Sequence, residues 1–411
     1  MTDNSTQATR RLKPDWQSLA AAPHRMFFAT GIGFILLVAA WWLLIMLARS
    51  FAGGVLEPVV PALITHGSLM LYVVFTPFMF GFLLTVYPRW QVAPDIPLSV
   101  QMLALSSLHV GLMLLLAGSY LSMPLAAAGW LVLAVGWLAM VGGFAWSWWQ
   151  CEAPVIHAGI VWLGMCCGLL GAAGMGVMLL AGDYSWWPWL KAMGLWGFLL
   201  IVFIGVCHRM IPFFTSRVVP GYEIWRPDSL LRLFVAAALL RVAVEPLAGL
   251  HWLPDATLFG LSLAFAWRWR PGKRHGNALL RVLHVSMAWL VIATGFYFLD
   301  SSLVLVDSGF SLGRAPLHAM SLGFLGSMLL AMVTRVTMGH SGRPLALDRK
   351  GWWIFLLLQL TTITRLVAEL RTGWASDLLQ LAAAGWLLVF LLWAWRYAWI
   401  YFVPRADGQP G

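Results

Sequence analysis

Apolar stretches of roughly 20 residues recur along the chain, and that is the length an α-helix needs to cross a bilayer. The run from Gly31 through Trp41 and Trp42 to Met46 is typical: it holds no charge at all. In hydrocarbon every backbone N–H and C=O must be satisfied internally, so such a chain folds as helices or as a closed barrel. A barrel would show alternating ten-residue strands, and the blocks here do not alternate. Only 10% of the 411 residues are charged and 61% are hydrophobic; a soluble domain carries about 25% charge. These figures exclude a soluble enzyme, a disordered chain and a nucleic-acid-binding module. The expected fold class is an all-α polytopic membrane protein.

Uninterrupted blocks predict twelve helices, near 26–48, 62–87, 99–119, 124–149, 155–181, 187–207, 229–250, 253–267, 279–299, 315–336, 352–370 and 376–401. Residues 1–25 and 402–411 read as cytoplasmic tails around a single membrane domain, 26–401. Residues 1–23 are polar and have no h-region, so the first block is expected to persist as a membrane helix. Cations set the orientation. Nineteen Lys and Arg fall on the side of the termini, from Arg10, Arg11 and Lys13 to Arg396 and Arg405, against Arg49, Arg314 and Arg371 on the other. The positive-inside rule then puts both termini in the cytoplasm. The net charge of +10 belongs to these loops. The four cysteines form no disulfide framework and read as small buried apolar residues.

The second, sixth and tenth blocks resemble one another. They close on Arg89, Arg209 and Arg335, spaced by 120 and 126 residues, and His24, His157 and His284 open the first, fifth and ninth. This predicts a pseudo-threefold arrangement of four-helix units, 24–150, 151–276 and 277–401.

Ten histidines in so apolar a chain are its most informative residues. A polar group at membrane depth usually faces the bundle interior with a partner, and neutral imidazole is the commonest metal ligand side chain. His66 and His318 each lie just inside a helix running inward from the outer face, roughly 5 Å below the helix end at 1.5 Å per residue. Two imidazoles at one depth can clamp a non-covalent b-type haem from both sides, with Arg314 in reach of a propionate. On the cytoplasmic face, His208 follows Cys207, His340 sits in Met338-Gly339-His340, and His24 precedes Arg25. Imidazole beside sulfur suits copper better than magnesium or calcium. The plainer alternative is interfacial anchoring of these loops to lipid headgroups. Arg241 and Glu245 can pair at i,i+4, and with His109 they would mark a transport path. Walker A, Rossmann, HExxH and CxxCH patterns are missing from the sequence.

The stretch His318-Ala319-Met320-Ser321-Leu322-Gly323-Phe324 through Thr334-Arg335-Val336-Thr337-Met338-Gly339-His340-Ser341-Gly342-Arg343-Pro344 resembles the NnrS family. So do Gly81-Phe82-Leu83-Leu84-Thr85 with Pro88-Arg89-Trp90, and Arg209-Met210-Ile211-Pro212-Phe213-Phe214. The resemblance implies a twelve-span bacterial inner-membrane protein that contains haem and copper and is associated with denitrification and nitric oxide resistance. Many members carry a second histidine and a glutamate where this chain reads His66-Gly67-Ser68-Leu69-Met70. The topology is also similar to that of the haem–copper oxidases. However, the sixth helix lacks that family's mid-membrane histidine, and a shared topology does not carry a reaction with it.

The combined expectation is a haem- and copper-binding membrane protein of the nitric oxide response, in contact with lipid and with nitric oxide or a redox partner. His66 and His318 would ligate haem iron. His208 and His340, with His24, would form a cytoplasmic-side metal site. Arg314, or Arg335 and Arg209 at the inner face, would neutralise propionates. The alternatives are a copper or anion transporter and a metal-handling assembly factor.

Overall fold

The computed structural model describes residues 16–271, 277–370 and 373–409. Arg10, Arg11, Lys13, Lys273, Arg274, His275 and Arg371 lie outside the described residues. No strand occurs among the described residues. Nine helices there are long and apolar enough to cross a membrane. They are α1 (Pro23–Phe51), α2 (Ala62–Gln91), α3 (Leu98–Leu121), α4 (Met123–Trp149), α5 (Ile156–Ala181), α6 (Tyr184–Ser216), α9 (Ala278–Leu305), α10 (Ala315–His340) and α12 (Ala375–Phe402). Three shorter or more polar helices complete the order: α7 (Asp228–Ala243), α8 (Trp252–Trp269) and α11 (Arg349–Val367). Short connections make successive helices run up and down. The first and last described segments meet at one end of the bundle, where Trp16 packs edge-on against Phe402 at 5.7 Å and Arg25 donates to the Val403 carbonyl at 2.8 Å.

Helix ends follow local chemistry. Proline opens α1 at Pro23, where its missing N–H costs nothing. Gly182, at φ +66°, closes α5 in the left-handed conformation that glycine adopts without strain. The seventh helix is shorter than the sequence suggested, ending at Ala243 rather than near residue 250. Pro246 explains this, because it lacks the donor a continuing helix needs and disfavours helical backbone at the residue before it.

Three helices occupy the interior. The most apolar stretches of α2, α6 and α10 are 83%, 89% and 78% buried, against 28–56% in the other six long helices. Each of the three contains a π-helical segment: Met70–Val74, Met193–Leu200 and Ala319–Gly326. Phe203 of α6 joins them, with ring centroids 6.0 Å from Phe75 of α2 and 6.1 Å from Phe324 of α10. Outer helices pack through small residues, as membrane helices do where close approach replaces the hydrophobic drive. At the α3–α4 hairpin a Cβ on Gly118 would lie 2.1 Å from the Ala126 nitrogen. That neighbour is backbone and cannot swing aside. Gly118→Leu is therefore expected to destabilise the protein by about 3 kcal/mol or more, read as a lowered melting temperature in detergent. Gly142→Leu, where nothing lies within 4 Å of the added carbon, should leave the melt unchanged.

Candidate metal centres

Two pairs of histidines meet through their rings, and a third pair lies within electrostatic range. The first lies at the end of the bundle where Trp16 meets Phe402. His157 is the second residue of α5, His208 lies in the last part of α6, and Asp228 is the first residue of α7. His157 Nε2 and His208 Nδ1 are 3.0 Å apart. The two imidazole nitrogens and an Asp228 carboxylate oxygen all lie within 4.8 Å of one another. Both rings are buried and the carboxylate is exposed. Phe265 and Trp269 of α8 wall the His208 ring at 5.5 and 5.8 Å, and the Trp269 indole is held by the Trp225 carbonyl at 3.0 Å. With a proton between them the two rings make a hydrogen bond. With both nitrogens bare, two lone pairs and a carboxylate converge, a donor set that suits zinc or copper rather than magnesium or calcium. Asp228 also opens α7, where its negative charge complements the helix dipole.

The second pair lies at the opposite end. His318 Nδ1 sits 2.9 Å from the Arg314 carbonyl oxygen, so it carries the hydrogen and donates, leaving Nε2 bare. That is the orientation a backbone carbonyl imposes on metal-binding imidazoles. His66 stacks on Trp42 at 4.0 Å and 17°, and its Nδ1 is buried without a hydrogen-bond partner among the described residues. His66 and His318 act on each other electrostatically, and both feel Arg365 and Arg314. Arg365 pairs with Glu369 at 2.5 Å, and Glu369 also accepts from the Arg314 N–H at 3.2 Å. Guanidinium groups around two neutral rings disfavour a bare cation and favour an anionic cofactor.

The third pair joins His24 at the start of α1 to His340 at the end of α10, with ring centroids 4.9 Å apart and tilted by 50°. His24 Nδ1 is also buried without a hydrogen-bond partner among the described residues. Arg25 beside it donates through Nη1 to the Ser18 and Val403 carbonyls at 2.9 and 2.8 Å.

The single cytoplasmic-side cluster of His208, His340 and His24 expected from the sequence is thus divided: His208 has His157 as its ring partner, and His340 has His24. Arg209 and Arg335 stack on aromatic rings, Trp90 at 5.3 Å and Phe214 at 3.9 Å. Arg335 lies 17 residues along α10 from His318, about 25 Å at 1.5 Å per residue, so it belongs to the other end of the bundle. Arg365, which sequence reasoning missed, stands beside Arg314 in its place. His157 was noted as a helix opener but not placed in a site. The signal was available, because an opener of the fifth helix and a closer of the sixth share an end. Arg241 pairs with Glu245 at 2.6 Å, as the spacing implied, and also with Asp255 at 3.2 Å. His109 hydrogen-bonds the Leu105 carbonyl at 2.8 Å and packs on Phe34, away from that ionic group.

The family model described as NnrS protein matches residues 18–405. The chain belongs to the NnrS family. The match spans all three histidine pairs. No curated protein matches the chain.

Metal titration tests the first site. Purified, metal-stripped protein is expected to bind Cu(II) or Co(II), and His157→Ala and His208→Ala are each expected to lower the affinity at least 10-fold. Asp228→Asn should weaken binding less, since it keeps both imidazoles. Acidification should release the ion from the wild type, because protons compete for the same nitrogens.

Proposed function

We propose that this NnrS-family protein is a haem- and copper-binding protein of the bacterial inner membrane that serves the nitric oxide response, binding nitric oxide or carrying electrons. The observation that carries the reading is the convergence of His157, His208 and Asp228 within 4.8 Å. This metal-competent group joins three helices of a bundle that is otherwise almost wholly apolar. In this reading it holds copper.

Haem is assigned to His66 and His318, and the residues fit it. His318 offers a bare Nε2 fixed by the Arg314 carbonyl, His66 has an unsatisfied ring nitrogen, and Arg314 and Arg365 supply positive charge for two propionates. When bound, haem supplies iron for one-electron transfer or for capture of the gas. The chain's own residues then have defined tasks. The Arg314 carbonyl keeps the proton on His318 Nδ1. Glu369 holds Arg365 and the Arg314 backbone in one arrangement. Trp42 covers one face of His66 and excludes water from it. Held by both His66 and His318, haem would supply electron transfer, and held by His318 alone it would supply gas binding. His24 and His340 remain metal candidates at the inner face, with Arg209 and Arg335 near that end rather than at the haem.

Twelve spans, pseudo-threefold four-helix units and cytoplasmic termini belong to the same proposal. They are supported by the three shorter helices that fall between the nine long ones, by the π-segments in α2, α6 and α10, and by the cation bias of the loops. A transport or metal-delivery role is the second reading, favoured by the buried Arg241–Glu245–Asp255 group.

Absorption spectroscopy with metal analysis of the purified protein tests the proposal. A Soret band and stoichiometric copper are expected. His66→Ala and His318→Ala should each abolish or shift the Soret band while sparing copper, and His208→Ala should do the reverse. A colourless protein that moves copper or an anion in proteoliposomes would favour transport.

A further inference from the structure

The interior helices enclose a cavity of about 50 Å³ between α2, α6 and α10. Its wall is apolar throughout and every residue in it is buried. The wall repeats one pattern. Phe78 and Phe82, Val202 and Val206, and Met328 and Met332 face the cavity at the same i,i+4 spacing, and the first members lie 124 and 126 residues apart. Each set follows the π-segment of its own helix by a few residues. Cys207 also lines the cavity, one residue before His208 of the metal-competent group.

We infer that this cavity is a binding site for a small apolar gas, a neutral diatomic molecule held next to the His157–His208–Asp228 centre. Polarity excludes other occupants. A buried water needs two to four polar partners, and an apolar cavity stays dry. An ion is excluded for the same reason, because an unpaired charge in hydrocarbon is costly. Size does the rest: a cavity that takes up benzene has about 150 Å³, so an aromatic ring or a lipid chain is too large. A diatomic gas dissolves in the bilayer core and meets these walls without passing a polar barrier. The destination of the gas rests on the proposed metal reading; the cavity's own affinity does not.

Xenon is the probe, because it needs neither haem nor copper. Crystals of the full-length protein pressurised with xenon are expected to show an anomalous peak between α2, α6 and α10. Val206→Trp should abolish that peak, and Met332→Ala should raise its occupancy. Xenon found only elsewhere, or an unchanged peak in both variants, would overturn the inference. If Val206→Trp does not fold, Met332→Ala decides alone. Loss of copper from His208→Ala protein with the xenon peak retained would separate this site from the metal reading.

Discussion

Close packing of α2, α6 and α10 holds every candidate site in place. The contact is apolar at its middle, where Phe203 meets Phe75 and Phe324. The histidines of these helices lie toward their ends. His66 stands on α2, His208 on α6, and His318 and His340 on α10. The partners His24 and His157 come from the outer helices α1 and α5. Two of the pairs thus join an inner helix to an outer one, whereas His66 and His318 both stand on inner helices. The π-segments widen the turns of these three helices. Such segments cluster at functional sites in helical proteins, and here they precede the walls of one apolar cavity.

Charged groups stand near the histidines at both ends of the bundle. Asp228 adds a negative group to His157 and His208, with Arg209 and Arg226 also in electrostatic range. Arg314 and Arg365 are in electrostatic range of His66 and His318, and Glu369 pairs with Arg365. In a membrane an uncompensated charge is costly, so such groups gather with partners rather than singly.

The spans were legible because their period and length are imposed by the solvent. A helix in lipid must be long and apolar from end to end, so its presence is written in consecutive residues. Boundaries were less legible. The seventh helix stops at Pro246's approach although apolar residues continue past it. Within the sites, the i,i+4 pair Arg241–Glu245 was readable, being local to one helix, whereas Asp255 joined it from the next helix unannounced.

Depth along a helix says at which end of the bundle a side chain lies, but not around which part of the perimeter. The residues alone therefore group His208 with His340, whereas its ring neighbour is His157, and they do not tell that Arg209 and Arg335 stack on Trp90 and Phe214. By itself the sequence determined that the chain is a multi-helix membrane bundle and where most of its long helices run, since these depend on residues close in the chain. Only tertiary packing decided the pairing of histidines, the arrival of Asp228 and Arg365, and the cavity between three helices. Each of these brings together residues from separate helices, and helices that are all apolar carry no mark of which neighbour they will choose.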